Sequence, residues 1–119
     1  MSTIKVGTLL AADGSTTTQP SIPALDKRMA KAWARVNQGS THDLISNYNM
    51  SSVTDISAGV TQFNYATAMS SNTYAAFASD NNYGESFVDS WLTTSVKVRN
   101  INGSGAYADA NIAVCVFSN

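Results

Sequence analysis

Residues 31–69 read KAWARVNQGSTHDLISNYNMSSVTDISAGVTQFNYATAM, and the fold is decided in this stretch. Short apolar runs alternate with polar turn chemistry, the pattern of consecutive antiparallel strands. Ala32 to Asn37 (AWARVN) forms a first strand, closed by Gln38-Gly39-Ser40-Thr41. Leu44 to Tyr48 is a second, and Val53 to Ile56 a third that ends at Ser57-Ala58-Gly59. In Val60 to Ala66, Phe63 and Tyr65 share one face while Gln62 and Asn64 share the other, as a half-buried strand requires.

Toward the C-terminus the β pattern continues. Thr73 to Ser79 (TYAAFAS) is a strand whose alanines allow close packing beside Tyr74 and Phe77. Asp80 to Asp89 (DNNYGESFVD) reads as an irregular surface loop. Trp91 to Ile101 resumes strand character, and Asn102-Gly103, extended by Ser104-Gly105, marks a turn. Ala110 to Phe117 (ANIAVCVF) is apolar on both faces, so it is expected to be central in a sheet, or covered on its second face by a partner.

Toward the N-terminus the pattern thins. Thr3 to Leu10 is compatible with a short strand, Asp13-Gly14 with a turn, and a Thr run leads to Pro20. Residues Ser2 to Pro20 form an arm and linker with too few apolar side chains for a core. Ile22 to Trp33 is the one predicted helix, with Ser21 as cap and Pro23 in the first turn. Ile22, Leu25, Met29 and Trp33 would share one face and need cover, from the domain or from the same stripe on sister chains as an oligomer seam. The predicted architecture is all-β: an antiparallel β-sandwich of about seven to eight strands over residues 31–119, preceded by an arm and short helix over residues 1–30.

Composition narrows the function. Charged residues make up 13% of the 119, against about a quarter in an ordinary soluble domain, and Ser, Thr and Asn supply about a third. Such a neutral surface of hydroxyls and amides faces carbohydrate or is assembled into an oligomer, because little repulsion keeps copies apart. Net charge is −1 and the seven basic residues form no run suited to a phosphate backbone, so no nucleic-acid partner is expected. No stretch has the length of a membrane helix, and MSTIKVGTLL lacks the apolar core of a secretory signal. Folding in a cytoplasm without membrane insertion is therefore expected. Cys115, the single cysteine, lies in an apolar run and reads as a structural thiol.

Chemistry-bearing residues are sparse. His42-Asp43 pairs an imidazole with an acid, but a triad needs members that meet in space. Asp80, Glu85 and Asp89 are carboxylates in or beside one loop, yet they match no calcium-loop spacing, and a solvated loop is the simpler reading. One His and one Cys do not make a metal site, so neither cofactor nor metal is expected. Among the aromatics, Tyr74 and Trp91 read as core. Tyr83, in DNNYGES, is the candidate for stacking on a sugar, and Tyr107 lies near a loop.

The segments Lys31-Ala32-Trp33, Val36-Asn37, Ile45-Ser46-Asn47-Tyr48-Asn49, Ser51-Ser52-Val53-Thr54-Asp55, Phe63-Asn64-Tyr65, Thr67-Ala68-Met69 and Tyr74-Ala75 resemble a domain common in phage tail fibres and fibre-like virion proteins. TIKVGTLLAADGS is similar to the opening of short members. The chain departs from that pattern at Ala34-Arg35, where a bulky apolar residue is usual, and at Gln38-Gly39-Ser40, where a longer Gly-Thr turn is usual.

The resemblance implies a virion fibre or knob, a homotrimer with no catalytic residues. With the chain read as complete from Met1, Ile4, Val6, Leu9 and Leu10 of the arm are expected to dock on other virion proteins of the tail or capsid. Asn81, Asn82, Tyr83 and Glu85, with Asn102 and Ser104, are expected at a distal tip that touches a host-surface glycan or protein. A capsid decoration protein of the same fold is the alternative, and a polysaccharide depolymerase a weaker one.

Overall fold

Alternation in two strands far apart in sequence sets the architecture. In Ala32–Asn37 (β1), Ala32, Ala34 and Val36 are buried, and in Asn111–Phe117 (β8), Ile112, Val114 and Val116 are buried. The two strands pair antiparallel, Ala34 opposite Val114 and Val36 opposite Ile112, so their inward columns form one apolar layer. The computed structural model describes residues 2–16, 21–39, 41–81 and 84–118.

The remaining strands are Asp43–Tyr48 (β2), Met50–Ser57 (β3), Val60–Tyr65 (β4), Ala75–Asp80 (β5), Glu85–Trp91 (β6) and Ser95–Ile101 (β7). They form two antiparallel sheets of four: β2-β1-β8-β5, here sheet A, and β3-β4-β7-β6, here sheet B. The inward residues of β1 and β8 join Phe63 and Tyr65 of β4 and Val96 and Val98 of β7 in one core, the arrangement of a β-sandwich. The half-buried strand expected at 60–66 is β4, with Phe63 and Tyr65 inward as expected.

Chain reversals fix which end is which. Asn49 alone links β2 to β3 and adopts φ 56°, a left-handed conformation that Asn tolerates. Its Nδ2 donates to Lys31 O and Thr67 O, both at 3.1 Å, and its Oδ1 accepts from Thr67 N at 2.7 Å. One side chain thus ties the start of β1, the β2–β3 link and the segment after β4. The N-terminal segment enters the sandwich at this end. The β1–β2, β3–β4, β5–β6 and β7–β8 connections lie at the other.

Several expectations are corrected. No helix occurs among the described residues. Residues 23–28 form successive turns, with Asp26 N on Ile22 O at 3.0 Å and Met29 N on Leu25 O at 3.1 Å. Ala32 and Trp33 are drawn into β1 by pairing with β8, led by Lys31 N on Val116 O at 2.8 Å, and the residues left over are too few to sustain a helix. Ile22, Leu25 and Met29 therefore lie in turns while Trp33 lies on a strand, and the four share no helical face. Thr3 to Leu10 is not a strand, since no sheet edge pairs with it, and Ile4, Val6, Leu9 and Leu10 are exposed.

The expected loop 80–89 contracts, because β6 begins at Glu85. The expected strand 91–101 is instead the last residue of β6, a turn closed by Leu92 N on Ser95 O at 2.9 Å, and β7.

Gly59 closes the β3–β4 hairpin at φ +70°, and a Cβ there would lie 2.6 Å from Asn100 O and 2.7 Å from Ala108 N. Those are backbone atoms and cannot swing aside. Gly59→Ala is expected to destabilise the fold by about 2–4 kcal/mol, strain and overlap together. Urea unfolding checks this, and an unchanged midpoint would contradict the tight approach.

Candidate functional site

The core turns polar as it nears the loop end. Gln38 continues the inward parity of Ala32, Ala34 and Val36. Thr61 shares parity with Phe63 and Tyr65, and Asn100 with Val96 and Val98. All three are buried; Gln38 and Thr61 form a bonded plug with His42, and Asn100 lies beside it with partners of its own. Ala110 N donates to Gln38 Oε1 at 3.0 Å, which turns Gln38 Nε2 toward Thr61 Oγ1, 2.8 Å away. Thr61 Oγ1 also lies 2.8 Å from His42 Nδ1, so the hydroxyl bridges the amide and the ring. His42 Nε2 lies 3.4 Å from Asp55 Oδ1 and 3.5 Å from Asp109 Oδ1. Asp109 Oδ1 also accepts from Gly59 N at 2.7 Å. Beside it, Ser86 Oγ donates to Asn100 Oδ1 at 2.9 Å and Asn100 Nδ2 donates to Ala108 O at 2.8 Å.

This network anchors the β1–β2, β3–β4 and β7–β8 connections to one another. The motif singled out as His42-Asp43 therefore works differently from its sequence reading. The acids at the His42 ring are Asp55 and Asp109, while Asp43 accepts from Thr41 Oγ1 at 3.2 Å. The hydroxyl on the ring belongs to fully buried Thr61, out of reach of any substrate. Its signal in the sequence was a polar residue on the buried parity of β1 and of β4. That signal gains meaning only once both strands are known to end at the same place.

The loop end itself is acidic. Asp43, Asp55, Asp80, Glu85 and Asp109 lie at or next to it, and its connections contain no Lys or Arg. The β5–β6 connection packs on the ends of β7 and β8: Asn81 N donates to Asn111 O at 3.1 Å, Asn111 N donates to Asn81 Oδ1 at 3.0 Å, and Gly84 lies against Ile101 and Asn102, where the other expected tip loop begins. Of the expected contact residues, Asn81 and Asn102 spend their carboxamide oxygens on loop structure. Asn102 Oδ1 accepts from Ser104 N at 3.0 Å, Ser104 Oγ at 2.7 Å and Ala106 N at 3.1 Å. Glu85 and Ser104 are exposed at this end, whereas Asn82 and Tyr83 lie outside the described residues. The exposed aromatic described at this end is Tyr107, whose ring lies under the Arg99 guanidinium at 5.3 Å.

The two sheets differ on their outer faces. Sheet B is polar. Asn64 Nδ2 donates to Ser52 Oγ at 3.1 Å and Thr54 Oγ1 at 3.0 Å, and Gln62 Nε2 donates to Asn64 Oδ1 at 2.8 Å. Asp89 meets Arg99 Nε at 2.8 Å and Lys97 Nζ at 3.2 Å. Hydrogen bonding from Arg99, assisted by Lys97, holds the Asp89 carboxyl below the usual carboxylate range. Asp80 lies on β5 of sheet A and Asp89 on β6 of sheet B, so the carboxylates read as one loop are split between sheets.

Sheet A is apolar outside. Tyr48, Trp33, Cys115 and Phe77 are direct partners across all four strands, with Phe117 and Ala75 in the adjoining row. Trp33 is 42% and Phe77 64% exposed, and Phe77 meets the Phe117 ring edge-on at 6.5 Å.

Tyr74 is core, as expected, with its hydroxyl 3.0 Å from both Leu92 O and Ser95 O. Its ring meets Tyr65 edge-on at 6.0 Å, and burial pushes the Tyr65 hydroxyl far up from its ordinary value. Trp91 is opposite Val96 at the edge of sheet B and is exposed, contrary to its reading as core.

No family model matches the chain, and no curated protein or solved structure matches it either. Among the described residues no group of His, Cys, Asp and Glu is arranged to hold a metal ion.

Two measurements test this geometry. Thr61→Val strands Gln38 Nε2 and His42 Nδ1 and is expected to cost about 1–3 kcal/mol. Asp55→Asn, at a side chain 46% exposed, should cost less than about 1 kcal/mol. Equal losses in chemical denaturation would show that the plug is not what binds the loops. For Asp89, a carboxyl ¹³C titration should give a midpoint below 3.8, moving up in Arg99→Gln. Because its folded-state pKa is depressed, its contribution to stability is present above the unfolded pKa. It is lost as pH falls through the folded value.

Proposed function

We propose that the protein is a phage virion component, a short tail fibre or fibre-like appendage. In this reading its arm docks on the particle and its loop end contacts the host surface. The observation that carries the proposal is the separation of the two ends. The N-terminal arm, with Ile4, Val6, Leu9 and Leu10 exposed, joins the sandwich where Asn49 clips the chain, and four connections gather at the far end. An attachment protein needs this division.

The loop end fits a hydroxyl-rich, uncharged ligand. It offers amides, hydroxyls and the exposed Tyr107 ring, and its five carboxylates disfavour an anionic polysaccharide. The buried plug holds three of the connections in place before any ligand arrives, which lowers the ordering cost of binding. Several copies on one particle would convert weak single contacts into firm attachment. A homotrimer, as the family resemblance implies, is proposed with this role.

Purified protein should slow adsorption of the phage that carries it, and Tyr107→Ala with Glu85→Ala should weaken that competition by about tenfold or more through the lost multivalent sum. Deleting residues 2–16 should leave cell binding intact and abolish incorporation into particles. Gold-labelled antibody should mark the tail. Label around every capsomer would replace the appendage reading with a decoration protein, and absence from particles would end both.

A further inference from the structure

We infer that the outer face of sheet A is covered by a second copy of this chain. The face breaks the rule that sheet B largely obeys. An antiparallel sheet with one wet side shows polar residues there, and sheet B presents Ser52, Thr54, Gln62, Asn64, Lys97 and Arg99 outward, with Ile56 and Phe87 on its two edge strands as the apolar exceptions. Sheet A presents Trp33, Phe77, Cys115 and Phe117 on strands whose other side already fills the core. Cys115 of β8 lies between Trp33 of β1 and Phe77 of β5, a small side chain flanked by two rings, while the next row is Arg35, Ala113 and Ser79.

The occupant follows from charge and area. Arg35 and Asp43 are the two charged residues in the outward columns of β1 and β2, and they cancel. An acidic or basic partner therefore finds nothing to select, whereas a copy of the same neutral face meets no repulsion. Four strands about 4.8 Å apart and seven residues of about 3.3 Å give roughly 400–450 Å² per molecule. Two such faces total roughly 900 Å², near the lower bound of specific association, so the pairing is weak and follows concentration. The inference rests on sheet A alone: a face that meets its own copy makes a pair, so a homotrimer would need a further seam, and the pairing is tested without reference to phage.

Sedimentation velocity on the full chain, from about 1 to 100 µM, should show mass rising above 12.6 kDa to a multiple of it. Phe77→Glu and Trp33→Glu should each remain monomeric across that range, while Thr54→Glu on sheet B should associate like the unaltered chain. In the unaltered protein, alkylation of Cys115 should slow as concentration rises, a readout that needs no variant to fold. A monomer at the highest concentration would overturn the inference, and so would association that survives both sheet A changes or is lost in Thr54→Glu. Cys115 protected at every concentration in a monomer, and exposed on deleting residues 2–16, would assign the face to the chain's own arm instead. The appendage reading stands or falls separately, on whether particles contain the protein.

Discussion

Every other feature depends on the closure of one apolar layer between two sheets. The layer is thin and built from small side chains: Ala32, Ala34 and Val36 face Phe63, Val96 and Val98, with Ile112, Val114 and Val116 beside them. With so little volume per residue, the layer excludes water only if both sheets keep strict register, because a slip of one residue turns each inward column outward. Bulges confine the irregularities to β1–β2, β3–β4 and β6–β7, while β1–β8, β5–β8 and β4–β7 run without one. The regular pairs involve the central strands, where an error would reach the core.

At the loop end the layer gives way to amide, hydroxyl and imidazole. Buried polar groups stabilise only when each finds its partner: Gln38, Thr61 and His42 are linked in a row, and Asn100 beside them bonds to Ser86 and to Ala108 O. The plug thereby does what an apolar end could not. It fixes the path of three loops while leaving their outer surface polar. Asn49 performs the matching task at the opposite end with a single side chain. The molecule is thus bounded by two specified ends, one for the incoming chain and one for the loops.

Period-two alternation is local, and it made β1, β4 and β8 legible within a residue or so of their bounds. The failures have physical causes. In β6, the inward positions Ser86 and Val88 are small while Phe87 faces outward, so the usual contrast is inverted at an edge strand and reads as loop. The spacing of Ile22, Leu25, Met29 and Trp33 imitates a helix, but Trp33 answers to a partner strand about eighty residues away, which no local window contains. The loop-end plug was invisible for the same reason, since its members come from separate connections. By contrast, the apolar second face of the last strand was plain in ANIAVCVF, and it is Ala113, Cys115 and Phe117 that line the outside of sheet A.

The place of β8 between β1 and β5 has a consequence for biosynthesis. Sheet A cannot assemble while the ribosome still holds residues 111–117, because the strand that joins its two halves has not emerged. Until then the nascent polypeptide can form the β1–β2, β3–β4 and β6–β7 hairpins, with β4 and β7 able to zip together, but Ala32 and Val36 have no lid and β5 has no neighbour in its sheet. Emergence of residues 111–117 is therefore the moment at which the sandwich closes, and any stall before it leaves a sticky half-sheet in the cell.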